Sequence, residues 1–93
     1  MKIASCLLDL YLPNSHSLKE KRQVIKSMKD SLRNHFNISI AELDHQNLWQ
    51  RATLGIALIS PDSKSSNEIL TKILKAIEED LRVEVLHHEI EFH

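Results

Sequence analysis

The sequence is poor in the residues that build the commonest sites. It has one Cys, one Gly, two Pro and four aromatics among 93 residues. A single cysteine, Cys6, makes no internal disulfide and no Cys-x-x-Cys pair, and inside its apolar run it reads as a small hydrophobe. One glycine, Gly55, excludes a Gly-rich phosphate loop and a dinucleotide fingerprint. With only Tyr11, Phe36, Trp49 and Phe92 as rings, a site needing several stacked aromatics is disfavoured. There is no long hydrophobic run either: Ile3 to Leu8 is cut by Asp9, too short for a signal segment or a membrane span, so a cytoplasmic protein without membrane contact is expected. Charge of one sign is also missing, since the formal net is -1.

What is present is an ordinary globular balance, 42% apolar and 27% charged, in a chain that can build one core and not two; a single domain over 1–93 follows. From Ile3 to Leu12 the even positions Ala4, Cys6, Leu8, Leu10 and Leu12 are all apolar, which is the period of a strand. After Pro13 and Asn14, Ser17-Leu18-Lys19-Glu20 is a capping box that opens a helix from about Leu18 to His35. Its apolar stripe is Leu18, Val24, Ile25, Met28 and Leu32, with Phe36 one turn on. Ile38 to Leu43 and Arg51 to Ile59 read as two further strands joined by a polar connection, Asp44 to Gln50. A second capping box, Ser65-Ser66-Asn67-Glu68, precedes the stripe Leu70, Ile73, Leu74, Ile77 and Leu81. Val83 to about Phe92 makes a last strand, with Leu86, Ile90 and Phe92 on one face and His87, Glu89, Glu91 and His93 on the other.

The order β-α-β-β-α-β predicts an α+β, ferredoxin-like two-layer sandwich: a four-stranded antiparallel sheet with two helices on one face. Right-handed crossovers place the first and third strands in the centre. The other face stays open, and Ile3, Leu7 and Tyr11 make it partly apolar, so a homodimer through the open face or an edge strand is expected.

The most specific pattern lies on the first helix. Lys19, Arg22, Lys26, Lys29 and Arg33 are spaced 3, 4, 3 and 4 apart and fall within roughly 80° of arc. Ser17 to His35 carries a local charge of +4 and Glu78 to Glu91 one of -5, so near-neutrality is the sum of opposite segments. The stripe fits a phosphate-backbone surface, an acidic protein partner, or a solvated face that keeps the chain in solution. Lys21 lies apart from it, toward the apolar azimuth, where its stem would snorkel past the sheet edge or, less simply, sit beside an anion at the helix start.

The second constellation is the connection itself. Asp44, His45, Gln46, Asn47, Leu48, Trp49, Gln50 and Arg51 put one acid, one imidazole, three amides, the only Trp and one guanidinium in eight positions. One reading has Asp44 and the amides bonding the loop backbone while Leu48 and Trp49 plug the end of the sandwich. The other makes it a recognition loop, with Asp44, His45, Gln46, Trp49, Gln50 and Arg51 as candidates: Trp49 or Arg51 would stack on a base or side chain and the amides would donate. A small-molecule or hydrolytic site around Asp44, His45 and Arg51 is a third reading, but no Ser or Cys nucleophile lies nearby in sequence and no catalytic residue is assigned. The six histidines offer neither an HxH nor an HExxH arrangement, so no metal and no cofactor is expected. Stacking of RNA across the sheet is disfavoured, because Arg51-Ala52-Thr53-Leu54-Gly55-Ile56-Ala57-Leu58 carries no aromatic.

Two segments, Ser17-Leu18-Lys19-Glu20-Lys21-Arg22 and Asp44-His45-Gln46-Asn47-Leu48-Trp49-Gln50-Arg51-Ala52-Thr53-Leu54-Gly55, together with the chain length, resemble the YlxP-like family of small bacterial proteins, a domain-of-unknown-function family. Family members usually carry Gly after the proline that ends the first strand; Asn14 stands here and can also enter the left-handed region. The resemblance implies a ferredoxin-like fold and a bacterial cytoplasmic protein with no established enzymatic activity, and genes for such relatives often lie among those for transcription-elongation, translation-initiation and ribosome-maturation factors. That makes structured RNA or a ribosomal particle the expected partner, with a protein-interaction scaffold as the alternative.

Overall fold

The computed structural model describes residues 1–93, and the elements run in the expected order. Strand β1 spans Lys2–Tyr11, helix α1 Leu18–His35, β2 Ser39–Asp44, β3 Arg51–Ser60, α2 Ser63–Glu78 and β4 Glu84–Phe92. The sheet is wholly antiparallel with strand order β2-β3-β1-β4, so the first and third strands are central. This is the ferredoxin-like α+β arrangement.

Alternation decides which face is dry. On β1, Ala4, Cys6, Leu8 and Leu10 are buried, and on β3 their counterparts are Ala52, Leu54, Ile56 and Leu58. They meet Ile25, Met28 and Leu32 of α1 and Leu70, Ile73 and Ile77 of α2 in one core cluster. Helix α2 lies over β1, β3 and β4, and α1 toward β2. Burial also pushes the Cys6 thiol pKa up, which keeps it protonated and inert. On the odd positions the sheet is open, with Ile3 40% and Leu7 37% exposed.

Local structure departs from the sequence reading in several places. Helix α1 is capped by Ser17, whose hydroxyl accepts from the Glu20 N–H at 3.1 Å, while the Glu20 carboxylate accepts from His16 N–H, one residue earlier than a capping box requires. The turn after β1 closes with Ser15 N–H donating to the Leu12 carbonyl and needs no left-handed residue at Asn14; the one positive-φ residue is His45. Helix α2 begins three residues before the expected start, because Asp62 and not Ser65 is its N-cap: the Asp62 carboxylate accepts from Ser65 N–H at 2.8 Å. Ser66, expected at the solvated cap, is buried and bonds the Ser60 hydroxyl, tying the helix start to the end of β3. At the other end α2 stops at Glu78, so Leu81 is off the stripe and 93% exposed. In β4 a register shift opposite Asp9 and Leu10 inserts Leu86 as an extra residue. Val85 therefore packs against the core, and Leu86 is left 51% exposed.

The N-cap hydrogen bonds hold the Asp62 carboxyl below its ordinary pKa. A depressed folded pKa means that this stabilisation is complete above the unfolded carboxylate range and disappears as pH falls through the folded value. Asp62→Ala is therefore expected to lower the melting temperature at neutral pH, and the gap from the parent to narrow progressively in acid. Circular-dichroism melts across that range check it; a gap independent of pH would contradict the cap.

Candidate nucleic-acid interface

The hairpin between β2 and β3 is built around Lys21. Its side chain is 0% exposed, on the inward azimuth of α1 with Ile25, Met28 and Leu32. The ammonium donates to Glu42 Oε2 at 3.0 Å and to the carbonyls of His45, Gln46 and Arg51 at 2.8, 3.2 and 3.2 Å. Four acceptors surround three protons, so the charge is fully solvated by the protein. The side chain thus neither snorkels to water nor waits beside an external anion. It holds the hairpin closed.

The opposite side of the loop is tied to the open face. His45 has φ 61°, a left-handed conformation that a residue with Cβ adopts at some cost. Its Nδ1 lies 2.8 Å from Thr53 Oγ1, which in turn donates to Asp9 Oδ1 at 2.8 Å. Because the Thr53 proton goes to Asp9, the hydroxyl receives its other bond from His45 Nδ1–H, leaving Nε2 unprotonated in the neutral ring. Asp44 does not orient that ring; its carboxylate accepts the His45 backbone N–H at 2.7 Å. A dyad of Asp44 and His45 is therefore not formed, and the ring is aligned through Thr53 by Asp9, a residue that spacing along the chain gave no reason to select.

The remaining loop candidates divide in two. Gln46 donates to the Glu42 carbonyl at 3.2 Å, and Gln50 donates to the carbonyls of Pro13 and Ser15 at 3.2 and 3.3 Å. These amides, like Asp44, serve the backbone. Trp49 is 55% exposed and Leu48 is exposed beside it, so neither plugs the end of the sandwich. Arg51 is half-buried with Nε unpartnered. Asn47, Leu48 and Trp49 form the part of the loop turned to solvent.

Along α1 the expected stripe is intact. Lys19, Arg22, Lys26 and Arg33 are exposed and Lys29 is half-buried. Arg22, Lys26, Lys29 and Arg33 line a groove of about 380 Å³ between α1 and β2, which Ile25, Asp30 and Glu42 complete; Lys19 lies outside it. Within the groove Lys26 pairs with Asp30 at 2.7 Å, and Arg33 reaches Asp30 at 3.8 Å and the Ile40 carbonyl at 2.9 Å. The Lys26 hydrogen bond, reinforced by the charges of Lys26, Arg33 and Lys29, holds the Asp30 carboxyl below its ordinary pKa against the opposing effect of desolvation. That carboxylate reports a positive local potential. Of the two acids only Asp30 pairs with these four cations, Glu42 being taken by Lys21, and the groove ends beside the loop, where Gln46 is bonded to the Glu42 carbonyl.

Residues 3–90 match the family described as "Protein of unknown function (DUF503)". The chain belongs to the DUF503 family. Over 75 residues it is 37% identical to "Uncharacterized protein YlxP" of Bacillus subtilis (strain 168), a match covering 81% of this chain and 79% of that one. Among solved structures, "De novo designed protein Foldit4" aligns over 100% of this chain and 97% of its own with a TM-score of 0.55 at 12% identity, a likeness of fold alone. Kinship of this kind carries a fold and not a chemistry, so the function of this DUF503 chain has to be argued from the groove and the loop. No helix is long and apolar enough to cross a membrane.

Replacing Lys21 by Met would strand Glu42 and three carbonyls without their common donor. Removing one partner of a buried ion pair costs about 3 kcal/mol or more, whereas Lys19→Met on the exposed stripe should stay within about 0.5 kcal/mol. Urea denaturation of the two variants separates these outcomes.

Proposed function

We propose that this protein is a non-enzymatic binding module that grips structured RNA, in the setting of a ribosomal particle, along the groove between α1 and β2. The observation that carries the reading is the convergence of Arg22, Lys26, Lys29 and Arg33 on one groove that ends at a loop exposing Trp49. Arg and Lys at the spacing of successive helical turns meet phosphates on an RNA backbone, and an exposed indole offers a stacking platform for an unpaired base. Lys19, at the first turn of α1, extends the cationic row beyond the groove toward a longer backbone. The open sheet face takes no part, since its odd positions on β1 and β3 supply only Tyr11 as a ring. The ribosomal setting is the one that the resemblance to the YlxP-like family implies.

The second reading, a scaffold that docks an acidic protein on the same cations, is favoured by the charge of the groove but leaves Trp49 without a purpose. Sedimentation with ribosomal subunits at two salt concentrations tests the first. Binding should weaken steeply with salt, and Lys26→Glu with Lys29→Glu should reduce the log–log salt slope by roughly two. Trp49→Ala should lower affinity by about 1–3 kcal/mol without changing that slope. Binding that survives nuclease would transfer the groove to the protein-partner reading, and binding that the double variant leaves unchanged would remove the groove from both.

A further inference from the structure

The two edges of the sheet are not equivalent. An edge strand presents unpaired N–H and C=O groups that a further strand can use. On β2 these carbonyls are already occupied: Arg33 Nη2 donates to Ile40 and Gln46 Nε2 to Glu42. On β4, which is nine residues long, no side-chain hydrogen bond reaches the backbone. The ladder with β1 tells which of its groups face outward. His93 N–H donates to the Ile3 carbonyl at 2.8 Å, and the register pairs Glu91 with Ser5, Glu89 with Leu7 and His87 with Asp9. Those residues turn their backbone groups inward, so the alternate ones, His88, Ile90 and Phe92, turn theirs outward.

We propose that a second copy of this chain adds to β4, antiparallel, with His88 opposite its own twin. Only registers that pair outward residues with each other make a ladder, and charge selects among them. With His88 at the dyad, His87 of each copy stands opposite Glu89 of the other, so the pair is made twice; Leu86 comes to Ile90, where the bulge ends the regular ladder, and within that stretch no acid faces an acid. Pairing His88 with Ile90 sets Glu89 against Glu89. Centring on Ile90 sets Glu89 against Glu91 twice. Like charges directly opposite each other destabilise a sheet and opposite ones support it. In the single chain His87 Nε2 is 3.0 Å from Glu89 Oε1 of its own strand, so the second copy extends that pair into a ladder across the dyad. The half-exposed Leu86, pushed out by the bulge, gains an apolar neighbour.

The product is an eight-stranded sheet with all helices on one side and the two basic grooves left free at its far ends. Seven strand spacings separate the β2 strands, roughly 34 Å. The pairing does not depend on the RNA reading, and its test does not use the groove.

Sedimentation equilibrium of the full chain should show a dimer. Glu89→Lys should weaken it about tenfold, because both cross-dyad contacts between His87 and Glu89 lose their carboxylate acceptor, and adding His87→Glu to that variant should restore it through two Lys–Glu pairs. Both positions are exposed, and circular dichroism confirms the fold of each variant. Leu7→Glu, on the open face, should leave the dimer unchanged. A monomer at all concentrations, a dimer indifferent to Glu89→Lys, a double variant that fails to recover, or dissociation by Leu7→Glu would each overturn the proposal; the last would assign the interface to the open face.

Discussion

An ammonium taken wholly out of water has to be met by acceptors already in place, and for Lys21 those acceptors are the main chain of a hairpin more than twenty residues further on. Much of the molecule's shape follows from that demand. Three loop carbonyls point into the fold toward Nζ, so the hairpin cannot relax into a two-residue turn and its backbone must pass through the left-handed conformation at His45. The side chains at its tip are then turned the other way. Trp49 is exposed because the carbonyls on either side of the tip are committed to Lys21. A buried charge of this kind is weak as a source of net stability, but it specifies one loop conformation against the many that a polar eight-residue segment could adopt.

The same constraint aligns helix with sheet. Lys21 joins α1 to the β2–β3 hairpin near the helix start, and Arg33 joins it to the Ile40 carbonyl near the helix end. Between those two ties α1 lies along the edge strand at a set distance, and the cations one azimuth away, Arg22, Lys26 and Lys29, are held over a groove instead of radiating into solvent. Arg33 serves two purposes at once, since the guanidinium that blunts the β2 edge also ends the row of charge. The open-face chain from Asp9 through Thr53 to His45 completes the arrangement by anchoring the loop from the other layer. A loop gripped from both sides of the sheet can offer a rigid surface at low entropic cost on binding.

Elements whose cause is periodic are legible in the sequence. The alternation in β1 and β3 and the stripes of α1 and α2 gave the architecture, because burial on a strand or helix repeats with the backbone. What escaped was decided by contacts across the fold. Asp62 and Ser65 are both competent N-caps by type, and the choice falls to Asp62 because Ser66 is drawn inward to the Ser60 hydroxyl. The bulge at Leu86 adds one residue to β4 relative to β1, and no local pattern announces a shift that depends on two strands. Lys21 reads from sequence as a side chain that snorkels past the sheet edge for the same reason: its acceptors, Glu42 and three carbonyls, are remote in sequence and become neighbours only when the hairpin closes. Of the candidate site, the cationic row was legible as a helical face, whereas the division of the loop into backbone-serving amides and an outward Trp49 was not.

The near-zero charge of the chain has a spatial meaning once the elements are placed. The positive segment lies along β2 and the negative one runs through the end of α2 into β4, so the charges sit at opposite edges of the same sheet. Their cancellation in the sum does not cancel the field near either edge, because a sheet four strands wide exceeds the screening length of about 8 Å at physiological ionic strength. A polyanion approaching the β2 edge meets cations, and one approaching β4 meets carboxylates. Orientation on a nucleic acid is thereby set by repulsion as much as by attraction. The β2 edge is also the one whose backbone is capped, so it remains a side-chain surface suited to phosphates, while the uncapped acidic edge keeps its main chain available and excludes the ligand that the other edge would hold.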